Sequence, residues 1–263
     1  MKPVAIDLFC GLGGWAEGFL AEGYDVIGFD IERHDYGTGG YPGQLVLQDV
    51  LTLRGSQFKS LGDRLRAIVA SPPCQKYSYM AMPWKRAKAL ARWYQESPER
   101  IRELNELFNA CFRIQREASE ALGRQIPLIV ENVVGAQRWV GRAGWHFGSY
   151  YLWGDIPALI RTGEVSPHWR MEATKVPSEQ GRRTDVGKGA RFTSRDCGVE
   201  SGVKGFTPNG EPLGKNTLGR RHGSKSKARK AASAMIAKIP FPLSSYIAKH
   251  FKPPRKHQEE IKP

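Results

Sequence analysis

This 263-residue chain has no apolar run near the ~18 residues a membrane helix needs, so no spanning segment is expected. Cysteine is scarce. The four, Cys10, Cys74, Cys111 and Cys197, are far apart, with no CxxC pair. The six histidines add no zinc-like spacing, so no metal site is expected. The glycine-rich turn at 11–14 lacks the GKS or GKT of a phosphate-binding loop. The start, MKPVAIDLFCGLGG, lacks a small-residue cleavage site, so we expect no signal peptide, reduced thiols and a cytoplasmic protein. Acidic residues thin out toward the C-terminus. Residues 163–263 carry 21 Lys and Arg against 9 Asp and Glu (net +12), whereas residues 1–162 carry 19 against 17 (net +2). A near-neutral body with a strongly basic attachment suits a polyanion partner, although a basic surface that serves only solubility has the same composition.

The segments present alternate in type. VAIDLF (4–9), DVIGFD (25–30), LVLQDV (45–50), RAIVAS (66–71) and IPLIVENV (126–133) read as strands. The turn GLGG leads into a helix over 14–22. A longer helix over 97–122 has Ser97 as N-cap, Pro98 in its first turn and Gly123 as its stop. Its apolar face is Ile101, Leu104, Phe108, Cys111 and Ile114. Strand–helix alternation predicts a parallel α/β sheet with ligands at the carboxyl ends of its strands. From about 163 the periodicity dissolves into glycine- and lysine-rich stretches; a helical pattern resumes near Ala231, with breaks at Pro240 and Pro242.

Chemistry-bearing residues collect at the strand ends. The glycine turn lets a ligand approach the backbone. Asp30, ending the second strand, suits both hydroxyls of a ribose, and Asp49 suits an adenine amino group. Together they fit an adenosine-containing ligand without a phosphate site, such as S-adenosylmethionine; ordinary turn acids would look the same. In SPPCQKYS (71–78), Cys74 stands on a proline-stiffened turn where a thiol is exposed, and Lys76 and the cations Lys85, Arg86 and Lys88 on the following loop favour its thiolate. Glu131 ends the apolar run LIV, where a half-buried carboxyl is held protonated and acts as an acid, with Asn132 positioning it or pinning a loop.

In combination these residues resemble the DNA cytosine-5 methyltransferase family. The matching pieces are D-L-F-C-G-L-G-G (7–14), Asp30, Asp49-Val50, S-P-P-C-Q-K-Y-S (71–78) and E-N-V (131–133), in the family's order. IAKIPFPLSSYIAKHF (236–251) looks like the family's last motif returning to the cofactor region. The resemblance implies an S-adenosylmethionine-dependent methyltransferase of α/β class: a Rossmann-like sheet with a small, basic, irregular target-recognition domain. Residues 1–162 and 232–263 would form the catalytic domain and 163–231 the recognition region. Asp7, Phe9, Gly11, Leu12, Gly13, Gly14, Asp30, Ile31, Asp49, Val50 and Pro73 would serve the cofactor. Cys74, Gln75, Glu131 and Asn132 would serve catalysis, with Cys74 attacking C6 of a flipped-out cytosine and Glu131 bonding N3 and the exocyclic amine. Ser78, Lys76, Lys85, Arg86, Arg220, Arg221, Lys225 and Lys227 would contact DNA.

The family's glutamine-x-arginine-x-arginine motif after E-N-V has no counterpart here; Arg138, Arg142 and Arg161 are the nearby arginines. The short recognition region looks like that of compact phage or prophage members. The implied partner is double-stranded DNA, acted on by a monomer, with a cognate restriction endonuclease as a further partner. An RNA cytosine-5 methyltransferase and a DNA-binding homologue that no longer methylates are the alternatives.

Overall fold

A computed structural model of the chain describes residues 1–36, 39–77, 84–147 and 150–157, then 230, 234 and 237–252. Of the expected recognition region 163–231, all but Lys230 lies outside the described residues, including Arg220, Arg221, Lys225 and Lys227, as do Arg161, Cys197 and Ser78.

The fold is α/β, a seven-stranded sheet. In chain order its strands are β1 (Val4–Leu8), β2 (Asp25–Asp30), β3 (Gln44–Leu47), β4 (Leu65–Ala70), β5 (Leu128–Asn132), β6 (Trp145–Phe147) and β7 (Tyr150–Gly154). They lie side by side in the order β3-β2-β1-β4-β5-β7-β6. The central strand β1 pairs in parallel with both neighbours, so that Ile6 lies between Ile27 and Ile68. The chain steps outward from β1 to β3 and then returns to β4 on the opposite side. That reversal opens a crevice at the carboxyl ends of β1 and β4, where open α/β sheets bind ligands.

The sheet is not wholly parallel, as the sequence led us to expect. β7 runs antiparallel to β5, and β6 antiparallel to β7. An antiparallel neighbour needs no helical crossover. The short stretch after β5 holds only a turn of 3-10 helix and α4 (Gln137–Val140), so it folds back as a hairpin.

Alternation along β1 splits the core in two. Val4, Ile6 and Leu8 face one side, against Phe108, Cys111 and Ile114 of α3 (Pro98–Leu122). Ala5 faces the other, with Trp15 and Phe19 of α1 (Gly14–Ala21) and Leu243 and Ile247 of α5 (Phe241–Phe251). Burial on both faces is why these strands read as nearly unbroken apolar runs. Helix α3 has the expected ends: Ser97 Oγ accepts from the Arg100 N–H at 3.4 Å, and Gly123 is left-handed (φ 64°).

Helices α1 and α5 pack without a gap. A Cβ on Gly18 would lie 2.2 Å from Ser244 Oγ and 2.3 Å from the Ser245 nitrogen, so only glycine admits α5 this closely. The Tyr24 hydroxyl donates to the Ala248 carbonyl (3.0 Å), and Ser245 Oγ donates to Glu22 (2.9 Å). Among the described residues no helix is long and apolar enough to cross a membrane.

Candidate active site

Five strand ends converge on the crevice. β1 ends in a strained turn: Phe9, at φ 57°, is the one non-glycine among the described residues with left-handed backbone. Gly13 is also left-handed (φ 77°), and a Cβ there would strike Pro42 at 2.3 Å. The turn is tied to β2 by Asp30, whose carboxylate accepts from the Gly11 N–H (3.0 Å) and the Ile31 N–H (2.8 Å). Its Oδ1 also accepts from the Glu32 N–H (3.4 Å) and lies 3.5 Å from His34 Nε2, while Oδ2, with the Gly11 N–H alone, keeps a lone pair for another donor. Beside it Ile31 is 72% exposed, an apolar side chain left open at the ligand edge.

Asp7 lies beneath this turn, fully buried on β1. Its Oδ2 accepts from the Tyr41 hydroxyl at 3.1 Å, while Oδ1 is buried with no hydrogen-bond partner. Burial, together with the nearby Asp30 charge, pushes its carboxyl well above the usual range. An orphaned buried carboxylate oxygen is costly unless a donor arrives.

At the next strand end, Asp49 is exposed and uses Oδ1 to accept from the Leu51 N–H (2.9 Å). Val50 is buried in the core, so its side chain backs this strand end rather than lining an open site. The Arg113 guanidinium of α3 holds this loop, donating to the carbonyls of Val50, Leu51 and Leu53 at 3.3, 3.2 and 2.9 Å. Leu12 is nearly buried, and a Cβ on Gly14 would meet the Ile239 backbone at 2.5 Å, so these two back the turn rather than open it.

Cys74 and Glu131 come together across the ends of β4 and β5. Cys74 is half-buried behind exposed Pro73, with exposed Gln75 and Lys76 after it. We expected cations to favour its thiolate. Instead burial, and then the Glu131 charge, raise its pKa. Lys76 projects into solvent, where its charge is screened. Glu131 is 9% exposed, and burial pushes its carboxyl up to about 8 against a side-chain hydrogen bond with Ser71. Near neutrality this carboxyl therefore mostly holds its proton. Cys10 and Cys111 are buried, and burial raises both thiols strongly.

Asn132 pins rather than faces the site. It is 1% exposed, its Nδ2 donates to the Pro72 carbonyl (2.9 Å) and its Oδ1 accepts from the Val133 N–H (2.9 Å). The Pro-Pro-Cys turn is thereby locked to β5.

Three supports were not foreseen. The Tyr77 hydroxyl lies 3.0 Å from both the Leu104 carbonyl and Asn105 Oδ1, and Asn105 Nδ2 donates to the Trp139 carbonyl (2.9 Å). This latches the turn after Cys74 to α3 and to α4. The Trp15 indole N–H donates to Ser71 Oγ at 3.0 Å. Tyr41 reaches Asp7 from the segment before β3. No local pattern announces these contacts, which join residues 28, 34, 56 and 34 positions apart.

Lys85 and Arg86 were expected on a loop. They lie on α2 (Trp84–Gln95), exposed together with Lys88 and Arg92, and α2 contains no acidic residue. Beyond it, the Arg100 guanidinium lies 4.3 Å over the half-exposed Trp93 ring. Among the described residues no cluster of three His, Cys, Asp or Glu could hold a metal ion.

No family profile matches the chain, and no curated protein matches it. Solved structures do. One, from E. coli, is described as a DNA modification methyltransferase encoded within a prophage (25% identity, TM-score 0.34, over 51% of this chain and 33% of that one). Another is a methyltransferase of Entamoeba histolytica (18%, TM-score 0.33, 54% and 41%). A third is the S. pombe Dnmt2 methyltransferase (12%, TM-score 0.45, 95% and 98%). The matched stretches span only about a third to two fifths of the first two structures.

Proposed function

We propose that this chain is a DNA cytosine-5 methyltransferase that uses S-adenosylmethionine. The observation that carries the reading is that the paired strands β4 and β5 lead to Cys74 and to buried Glu131, beside the glycine turn that Asp30 ties to β2.

The cofactor fit rests on residues already described. Asp30 Oδ2 has a lone pair left for a ribose hydroxyl, and Ile31 offers an apolar face to adenine. Asp49, at the end of the next strand, would accept from the adenine amino group. The orphaned Asp7 oxygen suits a cationic amino group, and the left-handed backbone of Phe9 and Gly13 opens the turn. Gly11 and Pro73 border the same place. Bound there, S-adenosylmethionine supplies an activated methyl group.

The chain's own residues prepare the acceptor. C5 of cytosine is a poor nucleophile; addition of a thiolate at C6 makes it enamine-like. Glu131 donates its proton toward N3, which withdraws electrons from the ring as Cys74 attacks. Loss of that proton leaves a carboxylate that accepts from the exocyclic amine. The Cys74 thiol needs a base or a closing loop to ionise, because its site in the free chain disfavours the charge. After methyl transfer, a base removes the C5 proton, the C5–C6 double bond re-forms as the thiolate leaves, and the N3 proton returns to the Glu131 carboxylate.

A base inside a duplex is out of reach and is flipped out, which costs a few kcal/mol of unstacking. Cationic contacts to phosphates offset that cost. Lys76, Lys85 and Arg86 would supply them, together with Arg220, Arg221, Lys225 and Lys227 of the recognition region, and the Ser78 hydroxyl would add a neutral hydrogen bond.

The test is transfer of a labelled methyl group from S-adenosylmethionine to unmethylated duplex DNA, with RNA of the same sequence in parallel and Cys74→Ala as control. The reading requires label at cytosine C5 of DNA with the wild type alone. Label in RNA only would move the substrate to RNA. Tight binding of DNA and cofactor without transfer would mark a binding protein.

A further inference from the structure

Among the described residues, the buried carboxylate oxygen without a hydrogen-bond partner is Asp7 Oδ1. Its register neighbours are Gly28 on β2 and Val69 on β4, and neither side chain can supply a proton. The donor that Asp7 does have comes from outside the sheet: the Tyr41 hydroxyl, 3.1 Å from Oδ2. Burial, and then the Asp7 charge, push the Tyr41 phenol up strongly, so the hydroxyl keeps its proton and donates it.

Tyr41 sits in a strap, Gly-Gly-Tyr-Pro-Gly (39–43), whose neighbours are cut away to receive it. A Cβ on Gly28 would strike the Tyr41 ring at Cζ, 2.4 Å away, and one on Gly43 would meet Cε1 at 3.0 Å. A Cβ on Gly13, in the cofactor turn, would meet Pro42 at 2.3 Å and the Tyr41 ring at 3.1 Å. The strap is thus seated against β2 and the cofactor turn together.

No protonation state of Asp7 pairs Oδ1. Ionised, Oδ1 is an acceptor without a donor. Protonated on Oδ1, the group is a donor without an acceptor. Protonated on Oδ2, it displaces the Tyr41 proton and still leaves Oδ1 bare. The titratable groups that act on this place are Asp30, Cys10 and Tyr41, all of them acids. A ligand ammonium supplies both the missing donor and the missing positive charge.

We propose that Tyr41 is a positioning residue: by holding Asp7 Oδ2 it reserves Oδ1 for the ammonium group of the ligand, and so makes the site select ligands that carry one. Its donated proton also lowers the cost of ionising a carboxyl that burial disfavours. The inference deepens the proposed function and rests on it for the cofactor, not for the acceptor; it holds for DNA and RNA alike.

The experiment measures binding of three ligands to the full-length protein by calorimetry. They are S-adenosylhomocysteine, its analogue without the α-amino group, and methylthioadenosine, which lacks the whole amino-acid end. The wild type should bind S-adenosylhomocysteine about tenfold or more tightly than the deamino analogue. Tyr41→Phe should weaken S-adenosylhomocysteine about tenfold and leave the other two unchanged. In an Asp7→Asn background the preference for the amino group should vanish, and Tyr41→Phe should change nothing further, because it acts through Asp7. Gly28→Ala, whose methyl strikes the Tyr41 ring, should repeat the Tyr41→Phe result and keeps the test open if that variant does not fold. An unchanged affinity for S-adenosylhomocysteine in whichever of the two folds would overturn the proposal. So would an equal loss for all three ligands, which would make the strap a structural support alone. Wild-type binding of S-adenosylhomocysteine and its deamino analogue with equal affinity would overturn it too, and would leave the adenosine site standing. Binding of none of the three would sink the functional reading and this proposal together.

Discussion

Replacing Glu131 with glutamine should remove a loss of several kcal/mol in stability on raising the pH from 4.5 to 8. The native carboxyl is pushed up from 4.5 to about 8, because its charged form is poorly solvated at the end of β5. Between those values the native chain holds a proton that the unfolded chain has already released. Stability from this group is therefore complete below about pH 4.5 and drains away as the pH rises through 8. At about 1.4 kcal/mol per unit, the whole window corresponds to roughly 5 kcal/mol. That is large against a typical total of about 5–15 kcal/mol. Urea unfolding of wild type and Glu131→Gln across this range measures it directly. The difference between the two curves cancels the other titrating groups, including buried Asp7, whose raised carboxyl acts in the same sense. The wild type should lose several kcal/mol relative to the variant, with unchanged m-values. Parallel curves across the whole window would refute the claim that burial holds this carboxyl neutral.

Three further substitutions probe the supports. Gly18→Ala should destabilise by about 1–3 kcal/mol or more by thermal or urea unfolding, because the added methyl meets the Ser244–Ser245 backbone of α5. Tyr77→Phe should cost about 1–3 kcal/mol in the same assay by leaving Asn105 Oδ1 without its donor, and should slow transfer by loosening the turn that carries Cys74. Arg113→Met should weaken binding of S-adenosylhomocysteine about tenfold by calorimetry, since the loop after Asp49 loses its clamp on three carbonyls.

The strand ends were readable because each bears a sharp change from apolar to polar residues. Asp30, Cys74 and Glu131 stand at such changes, and the structure gathers them on one edge of the sheet. Helix α3 was readable from its caps, Ser97 and Gly123, and its apolar repeat. Helix α2 was not, because its buried positions include Ala87 and Ala91, whose small side chains leave a faint stripe among cations. The β6–β7 hairpin consists of short aromatic segments whose pairing with β5 depends on tertiary contact. Trp15 falls within the short helix expected over 14–22, and nothing near it in sequence foretells an acceptor 56 positions away. Periodicity reports which face of an element is buried, not which polar atom a buried donor meets.

The packing of α5 on α1 also sets an order of events when the chain is made. The Tyr24 hydroxyl and its acceptor at Ala248 are separated by 224 positions. At about 5–20 residues per second, the ribosome needs on the order of 10–45 s to bridge that interval. Until then α1 has no partner for the face it will share with α5, and Trp15 and Phe19 lack part of their cover. The nascent glycine turn thus waits, half-assembled and apolar, for the last described helix to emerge. A chaperone that binds such faces would find its target in that interval, and folding would be limited by synthesis rather than by search.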